Sequence, residues 1–237
     1  MRRRALVTGS GRGLGRHLAV ALGSDGFKVV VHYRSNKDDA DETARLVAEV
    51  GGEAELVSAD LSNADEVGVM AEAVGVGGPL DVLVNNVGGF IIRHTDELSP
   101  QDWDRVLAAT ASATFYTTHA LLPLLRGRPH ARIINIADSG ADNLRASPKS
   151  LPYYVGKTGV LIMTKTFAVT EADRGVTVNA VMPGVLENSI TFPALEKIPA
   201  GRLGSFGDIA GAVRYLVSPE ADYVTGSYLQ VGGGWNL

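Results

Sequence analysis

Short apolar runs alternate along the chain with segments whose apolar residues recur at helical spacing. The runs predict seven strands, at Ala5–Thr8, Lys28–Tyr33, Ala54–Ala59, Asp81–Asn85, Arg132–Ala137, Gly175–Met182 and Ser227–Val231. Between them we predict helices over Asp38–Val50 and, as one long helix, over Ser99–Leu125, with Ser62 as the N-cap of another. Strand–helix alternation at this rhythm predicts a parallel sheet with helices on both faces. We therefore expect a single doubly wound α/β domain over residues 1–237.

Composition narrows the class of protein. The chain has 237 residues, of which 45% are hydrophobic, enough to bury a substantial core in one domain. The net charge of −4 supplies no basic field for nucleic acid, and no apolar stretch reaches membrane-spanning length. Cysteine is absent, the first residues lack the apolar core of a signal peptide, and the five histidines show no metal-ligand spacing. We expect a cytoplasmic protein with no nucleic-acid partner, membrane partner or metal.

A cluster of glycines, TGSGRGLG over Thr8–Gly15, lies between the first predicted strand and the first helix. Glycines permit positive φ angles and let backbone N–H groups approach a pyrophosphate. The helix that follows presents its positive end to such an anion. A tight turn would also need glycines, but the position inside a strand–helix–strand unit favours a bound dinucleotide.

The end of the second strand bears on the choice between NAD(H) and NADP(H). NAD-binding proteins usually place a carboxylate there for the ribose hydroxyls, whereas this chain has Arg34 and Ser35 and no acid. Arg34 can bind a 2′-phosphate, Ser35 can donate to it, and Arg12 can approach it from the glycine turn. We therefore predict NADP(H); the alternative is a pair of solvated arginines. Asp60, after the third strand, either bonds the adenine amino group or caps the next turn.

Tyr153 and Lys157 stand four residues apart at the start of a long apolar helical stretch. This spacing places a phenol and an ammonium on one helix face. A phenol has a pKa near ~10, and a cation close by favours its ionised form. The pair can therefore supply or remove a proton near neutral pH, which is the proton chemistry that accompanies hydride transfer.

Five segments, in this order and spacing, resemble the classical short-chain dehydrogenases/reductases over essentially the full chain. They are the glycine turn, Asn85–Gly88 (NNVG), Tyr153-x-x-x-Lys157, Asn179–Gly184 (NAVMPG) and Val224–Gly226 (VTG). The resemblance implies a Rossmann fold and an NAD(P)(H)-dependent oxidoreductase of a small molecule, usually a homotetramer, with a homodimer as the alternative. It implies that Tyr153 is the general acid/base and that Lys157 binds the nicotinamide ribose and lowers the tyrosine pKa.

The resemblance also places Asn86 in support of the turn below the cofactor, and the backbone of Pro183 and Gly184 against the nicotinamide. Together with the strand ends, it predicts a set of cofactor-binding residues. They are Gly9, Ser10, Arg12, Gly13, Leu14, Gly15, Tyr33, Arg34, Ser35, Asp60, Leu61, Asn86, Val87, Gly88, Tyr153, Lys157, Pro183 and Gly184.

One departure from the family pattern follows the fifth strand, where a serine normally bonds the substrate oxygen. Counting from the strand places Asp138 there, with Ser139 one residue later, and we favour Asp138 because strand geometry fixes register better than a loop does. An Asp that merely caps a turn is the alternative. An aspartate at this position resembles the pteridine reductases. It would repel a developing oxyanion, suit a substrate with N–H donors, and raise the pKa of Tyr153, which favours reduction.

Further departures are Thr110, where the family often has an asparagine that holds a water, and Gly232, where an acid commonly stands. The substrate lid after Gly184 is short, and we expect Glu187, Asn188 and Phe90 to reach an open site, or else to be surface and packing residues. Three hypotheses result. The first is an NADPH-dependent reductase of a small carbonyl or acyl-thioester ketone, similar to 3-oxoacyl-carrier-protein reductases. The others are a pteridine-type C=N reductase and a non-catalytic NADP(H)-binding protein.

Overall fold

Seven parallel strands form the centre of the molecule in a computed structural model, which describes residues 2–190 and 192–236. The strands are β1 (Arg4–Val7), β2 (Lys28–Tyr33), β3 (Glu53–Ser58), β4 (Val82–Asn85), β5 (Ala131–Ile136), β6 (Val176–Pro183) and β7 (Tyr228–Val231). Their order across the sheet is β3-β2-β1-β4-β5-β6-β7. All seven predicted strands are present, with ends that differ by at most one residue.

Seven α-helices cover the two faces of this sheet in the described part of the chain. They are α1 (Gly13–Ser24), α2 (Lys37–Glu49), α3 (Ala64–Val76), α4 (Pro100–Leu107), α5 (Ala113–Leu125), α6 (Leu151–Glu171) and α7 (Phe206–Val217). Strand side chains alternate between the two layers: Val29 and Val31 pack with α1, α2 and α7, whereas Val30 packs with α3 and α5. The predicted doubly wound α/β fold is confirmed.

The N-terminus of α3 differs from the prediction. Asn63, not Ser62, is the N-cap, and its side chain accepts hydrogen bonds from the backbone N–H groups of Asp65 and Glu66. Ser62 is engaged elsewhere, because its hydroxyl donates to the Asp60 carboxylate at 2.6 Å. The two residues are both good N-caps, and the turn after β3 decides between them.

The segment predicted as one long helix is helical throughout but contains a π-helical turn at Ala108–Ser112, between α4 and α5. Thr110 lies in this turn, and its buried hydroxyl accepts a hydrogen bond from Gly89 N at 3.0 Å. Such π-turns are frequent at functional sites. Ser99 caps α4 in a reciprocal capping box with Asp102, and Pro100 stands at the first helical position, as the sequence predicts.

The strand order reverses between β1 and β4, so helices leave the two strands on opposite faces of the sheet. In open α/β sheets, ligands bind outside the carboxyl ends of the strands at such a point. Beneath this edge, buried amides cross-link the framework: Asn85 donates to Asn135 at 2.9 Å, and Asn135 donates to Thr164 of α6 at 2.9 Å. These bonds tie β4, β5 and α6 together directly below the candidate site.

Candidate active site

The glycine turn after β1 is shaped by backbone geometry that other residues adopt poorly. Gly9 and Gly13 have φ angles of 62° and 57°. A Cβ on Gly15 would overlap the carbonyl oxygen of Gly9, so the turn can fold onto the start of α1 only with glycine there. The backbone at the N-terminus of α1 carries no side-chain cap, because Arg12 at the N-cap makes no such bond. The turn therefore has the form of an anion-binding cradle.

Two residues that the sequence reading missed brace this turn from α1 and α2. The Arg16 guanidinium donates through Nε to Gly11 O at 2.8 Å and to the hydroxyl of Thr43 at 3.0 Å. The buried Thr43 hydroxyl in turn lies 3.0 Å from Ser10 O and 3.1 Å from Gly11 O. An arginine directly after the glycine turn and a threonine in an amphipathic helix carry no special sequence signal. Only the packing of α2 against α1 brings them together.

Ser10 has a different surrounding from that of a phosphate ligand. It is fully buried, its hydroxyl donates to Val7 O at 2.8 Å, and it accepts from His32 N at 3.0 Å. The His32 ring accepts from Gly9 N at 2.9 Å through Nδ1, so its Nε2 carries the proton and donates to Ala59 O at 3.1 Å. Burial lowers the pKa of His32 to about 4. Ser10 and His32 therefore support the turn from below.

The predicted cationic residues lie at the open end of this cradle. Arg12, Arg34 and Ser35 are exposed, and the Arg34 guanidinium stays 4.0 Å from the Asp60 carboxylate, with 71% of its side chain exposed. Tyr33 is half-buried at the end of β2, and Leu61 is buried. The geometry leaves Arg34 free to move to a phosphate.

Asp60 has hydrogen-bond partners that favour the turn-capping alternative. One of its carboxylate oxygens accepts from Ser62 N at 2.9 Å and from the Ser62 hydroxyl at 2.6 Å. These bonds, more than the nearby Arg34 charge, hold the pKa of Asp60 below its usual range. The adenine-binding alternative stays a prediction.

The segment after β4 is attached to the glycine turn by backbone and side-chain bonds. The amide of Asn86 donates to Thr8 O at 2.9 Å, and the Thr8 hydroxyl accepts from the backbone N–H groups of Asn86 and Val87 at 2.8 and 3.1 Å. This is the supporting role that the family resemblance implies for Asn86. Gly88 lies next to Lys157: a Cβ there would stand 3.2 Å from Nζ. Leu14 of α1 lines the same opening.

Tyr153 and Asp138 are joined directly. The Tyr153 hydroxyl donates to Oδ2 of Asp138 at 2.9 Å, and Oδ1 of Asp138 accepts from Gly140 N at 2.9 Å, which fixes the carboxylate orientation. The Tyr153 ring packs edge-on against Phe90, with centroids 4.8 Å apart. Burial, and then the charge and hydrogen bond of Asp138, raise the pKa of Tyr153 well above its ordinary value. In this structure the phenol is therefore held protonated.

Lys157 lies one helical turn beyond Tyr153 and is buried. Its ammonium donates to Ile136 O at 2.6 Å and stands 6.0 Å from the centroid of the Tyr153 ring. Burial lowers the pKa of Lys157 to about 8, against an opposing contribution from Asp138. The expected approach of cation and phenol is present. Pairing with Lys157 alone would lower the pKa of Tyr153. In this structure that pKa is raised, because burial and the Asp138 carboxylate have the larger effect.

The register of the chain after β5 directs the Ser139 side chain to the side opposite to Asp138, although Ser139 also lines the cavity. The backbone continues to pair with β6, through Ala137 N to Val181 O at 2.8 Å and Ser139 N to Pro183 O at 3.0 Å. Adjacent side chains of an extended segment point to opposite sides, and Ser139 is 2% exposed with its hydroxyl 3.4 Å from the Asn236 amide. Asp138 thus takes the place beside Tyr153 that we favoured.

Thr110 takes part in backbone support, because its hydroxyl binds Gly89 and its carbonyl accepts from Thr114 at 2.9 Å. It packs against Gly156 of α6, where a Cβ would stand 3.1 Å from the threonine side chain. The Thr110 hydroxyl is therefore directed to the segment after β4 and not to Lys157. The Lys157 ammonium donates to the carbonyl oxygen of Ile136.

A cavity of about 640 Å³ opens above Tyr153 at the carboxyl edge of the sheet. Asp138, Lys157 and the backbone of Pro183 and Gly184 line one side of it. The rest of the wall includes aromatic and amide-bearing side chains together with aliphatic ones, among them Phe90, Tyr154, Asn188, Ile190, Phe192, Trp235 and Asn236. The expectation for Phe90 and Asn188 is met.

The expectation that Glu187 reaches the site is wrong, because Glu187 is not among the residues that line the cavity. Its carboxylate accepts from Phe206 N at 3.3 Å and so caps the first residue of α7.

Gly232 approaches Gly184 so closely that a Cβ on Gly184 would stand 2.6 Å from the Gly232 Cα. That backbone contact positions the final glycines behind the Pro183 loop.

The sequence reading also missed the outer wall. Arg145, in the loop between β5 and α6, donates to Asn236 at 3.0 Å and to the Tyr154 hydroxyl at 3.2 Å. The Gln230 amide holds Trp235 O at 2.9 Å. These residues are distant in sequence and belong to no motif, so only the folded chain could reveal them.

Within residues 2–190 and 192–236, no group of three or more His, Cys, Asp or Glu side chains is placed to hold a metal ion. No helix in that part of the chain combines the length and the apolarity needed to span a membrane.

Comparison with known proteins agrees with the fold and the placement of these motifs. Residues 9–236 match the family described as enoyl-(acyl carrier protein) reductase. The chain is 38% identical to a 3-oxoacyl-[acyl-carrier-protein] reductase from Synechocystis sp., over 97% of this chain and 95% of that protein. It also resembles the crystal structure of landomycin C-6 ketoreductase LanV with bound NADP and rabelomycin, at 32% identity and a TM-score of 0.90, covering 99% and 96% of the two chains.

A short-chain dehydrogenase/reductase from Serratia marcescens superposes with a TM-score of 0.91 at 30% identity, covering 99% of this chain and 98% of that one. The strand order, the glycine turn and the Tyr153–Lys157 pair are those that the sequence resemblance predicts. The chain therefore belongs to the classical short-chain dehydrogenase/reductase family of oxidoreductases.

Proposed function

We propose that this protein is an NADPH-dependent reductase of a small carbonyl or acyl-thioester ketone, with Tyr153 as the general acid. The observation that carries the proposal is the Tyr153 hydroxyl in the cavity, whose wall also includes the buried Lys157 and the residues Pro183 and Gly184. The similarity to 3-oxoacyl-carrier-protein reductases and to a ketoreductase supports it.

The residues at the glycine turn fit a dinucleotide with a 2′-phosphate. The turn offers open backbone at the start of α1, and Gly88 leaves room beside Lys157 that a side chain would reduce. Arg12 and Arg34 are exposed at the same end, and no carboxylate ends β2. When bound, NADPH supplies the hydride, with Arg34 and Arg12 on its 2′-phosphate, Asn86 and the glycine turn supporting it, and Lys157 on its nicotinamide ribose.

Proton delivery follows from the bonds of Tyr153. Its hydroxyl now donates to Asp138 and can turn the same proton to a substrate oxygen in the cavity. The positive charge of Lys157 stabilises the phenolate that remains. Asp138 is half-buried and contacts Tyr153 directly, so it can return a proton from solvent. Thr110 is turned to Gly89, so we assign this return to Asp138 rather than to a relay through Thr110.

A pteridine-type C=N reductase is the second candidate, and Asp138 is the observation that favours it. A carboxylate fixed by Gly140 N offers an acceptor to N–H groups of a heterocycle, whereas it repels a developing oxyanion. The aromatic wall of Phe90, Phe192 and Trp235 suits a flat ring. The two candidates share the cofactor and Tyr153 and differ in the substrate group that faces Asp138.

The test is NADPH oxidation measured with acetoacetyl thioesters, simple ketones, quinones and dihydropterins, each with wild type and Tyr153→Phe. We expect oxidation with at least one ketone or thioester, and its loss in the variant. Oxidation with dihydropterins alone would establish the second candidate. NADPH binding without oxidation of any of these compounds would contradict both and favour a non-catalytic NADP(H)-binding protein.

We also propose a homotetramer assembled partly through α5 and α6. Phe115, Ile162 and Val169 on these helices are exposed apolar side chains, and Phe115 stacks with Phe167 at 6.2 Å across them. Light scattering should give four times the chain mass, and Ile162→Glu should lower it. Val76→Glu on α3, where Val76 is also exposed, is the control and should not. A monomer in the wild type would contradict the proposal.

A further inference from the structure

In the described part of the chain, Arg145 is a cation without a carboxylate partner, and it bonds two residues that line the cavity. Its guanidinium donates to two neutral groups, Asn236 Oδ1 at 3.0 Å and the Tyr154 hydroxyl at 3.2 Å. It lies over the Tyr154 ring, with 5.4 Å between Cζ and the ring centroid. Within residues 2–190 and 192–236 no carboxylate oxygen approaches its nitrogens to 4.0 Å, whereas Arg202 and Arg214 are each paired with an aspartate.

The position of Arg145 is within reach of a substrate bound at Tyr153. The Tyr153 and Tyr154 ring centroids are 5.4 Å apart, and Arg145 Cζ is 5.4 Å from the second of them, so the guanidinium lies within about 11 Å of the Tyr153 ring. Both Tyr154 and Asn236 line the cavity. A molecule whose carbonyl meets the Tyr153 hydroxyl can therefore extend past Tyr154 to the guanidinium.

The chemistry of this end of the cavity favours an anion. An arginine fork binds a carboxylate through two parallel N–H···O bonds, and such charge-assisted bonds are roughly twice as strong as neutral ones. The cavity wall contains apolar and aromatic residues, among them Phe90, Phe192 and Trp235, that can cover a hydrocarbon segment. The cavity thus combines the Tyr153 hydroxyl, apolar side chains and a cation that bonds two of its lining residues.

We propose that the substrate is a small oxo acid and that Arg145 binds its carboxylate, a few bonds away from the carbonyl that is reduced. This inference rests on the proposed reductase function and narrows its substrate class. An extended phosphopantetheine thioester carries its phosphate more than a dozen bonds from the carbonyl, so that phosphate would pass beyond Arg145. The arrangement therefore favours a free oxo acid over a carrier-bound thioester.

The test compares 5-oxohexanoate with its neutral methyl ester, in steady-state kinetics with saturating NADPH. Wild type should reduce the acid with a KM about tenfold lower than that for the ester, the size expected of a charge-assisted pair at an open rim. Arg145→Met should remove this difference by raising the KM for the acid, with kcat and the KM for the ester nearly unchanged. Arg145→Lys should restore part of it.

Lys149→Met is the matched control, because Lys149 is an exposed cation of the same loop and, in the described part of the chain, its side chain does not share the bonds of Arg145 to Tyr154 and Asn236. It should leave the preference for the acid intact, which separates a specific contact from the general charge of the loop. Calorimetric titration of the NADP⁺-saturated enzyme with 5-oxohexanoate measures the same contact without turnover. We expect the dissociation constant to rise about tenfold in Arg145→Met.

Two results would overturn the role of Arg145: equal KM values for acid and ester in wild type, or an equal effect of Arg145→Met on both. If the ester is still reduced in either case, the reductase function stands and only the oxo-acid assignment fails. A third result separates the two proposals. If the enzyme reduces no carbonyl but still binds the acid in calorimetry in an Arg145-dependent way, the reductase function is contradicted and the Arg145 binding site stands. Acetoacetyl-coenzyme A as the preferred substrate would also contradict the oxo-acid assignment.

Discussion

The Tyr153 hydroxyl donates a 2.9 Å hydrogen bond to Asp138, so the phenol of the Tyr-x-x-x-Lys pair is held by a carboxylate. A serine at the Asp138 position would remove the negative charge next to the phenol. Burial, and after it the carboxylate, keep the phenol in its acid form, since both disfavour the phenolate. The relationship poises the site for proton donation, and hence for reduction.

Replacement of Tyr153 by phenylalanine tests the acid directly. We expect kcat for NADPH oxidation to fall by about 100- to 10,000-fold, the contribution typical of a positioned general acid. The dissociation constant for NADPH, measured by fluorescence titration, should change little, because the phenol hydroxyl bonds Asp138. Tyr215→Phe, on α7 and outside the cavity wall, is the control. Turnover retained by Tyr153→Phe would remove Tyr153 as the acid.

Replacement of Arg34 by alanine tests the 2′-phosphate site. Wild type should bind NADPH more tightly than NADH, and Arg34→Ala should reduce NADPH affinity by about tenfold, in keeping with the loss of one exposed charge-assisted contact. NADH affinity should not change. Lys37→Ala, which removes a neighbouring exposed cation already paired with Asp41, should leave both affinities nearly as they are. Equal affinities in wild type would show that the NADP(H) prediction is wrong.

Replacement of Asp138 by serine distinguishes the two candidate reactions. Because serine bonds a carbonyl oxygen without charge, we expect kcat/KM for neutral ketones to rise a few-fold. A loss of dihydropterin reduction in the same variant would favour the C=N reductase. Asp142→Ser removes an exposed acid from the same loop and should alter neither activity. Unchanged kinetics with every substrate would show that Asp138 does not face the reacting group.

The pKa of Lys157 predicts an alkaline limit to reduction. Below pH 8 the buried ammonium is charged and can stabilise the phenolate, and the charge is lost as the pH rises through about 8. We expect kcat/KM, which reports the free enzyme, to fall above that pH. Lys157→Arg keeps the charge, so whatever activity it retains should show no decline near pH 8. A flat profile from pH 7 to 9.5 in wild type would contradict the assignment.

The lowered pKa of His32 predicts how the free energy of unfolding depends on pH. Its pKa is lowered from 6.5 to about 4 by burial, so between these values the unfolded chain binds more protons than the folded one. The free energy of unfolding should therefore fall by about 3 kcal/mol as the pH drops from 7 to 4, on the basis of 1.36 kcal/mol per pKa unit. Urea titrations at several pH values measure it.

The matched variants for this prediction are His32→Gln and His94→Gln. His32→Gln removes the buried titrating ring and should flatten the acid dependence of stability, at some cost to stability at pH 7 because the ring also holds Gly9 N. His94 is exposed, so its replacement should leave the dependence unchanged. The same slope in wild type and His32→Gln would show that other groups cause the acid sensitivity.

Local patterns were sufficient for the architecture. Alternating apolar runs and helical spacing predicted all seven strands. The five inner strands are buried at nearly every position and so are visible in sequence as apolar runs, whereas the edge strands β3 and β7 are partly exposed. The glycine turn and the Tyr153–Lys157 pair were equally visible, since one needs glycines at fixed places and the other needs four-residue spacing on a helix. The π-turn at Thr110 was not, because it depends on a bond to Gly89 from another element.

Contacts between distant segments decided the rest. Strand counting favoured Asp138 over Ser139, but pairing of this segment with β6 is what directs one side chain to Tyr153 and buries the other. The contacts of Arg145 were likewise not predictable from local patterns, because Arg145 bonds Asn236, which lies 91 residues later in the chain. The sequence by itself determined the fold, the glycine turn and the spacing of Tyr153 and Lys157, because these depend on local patterns. The tertiary structure decided which side chains line the cavity, because they meet only when separate loops pack together.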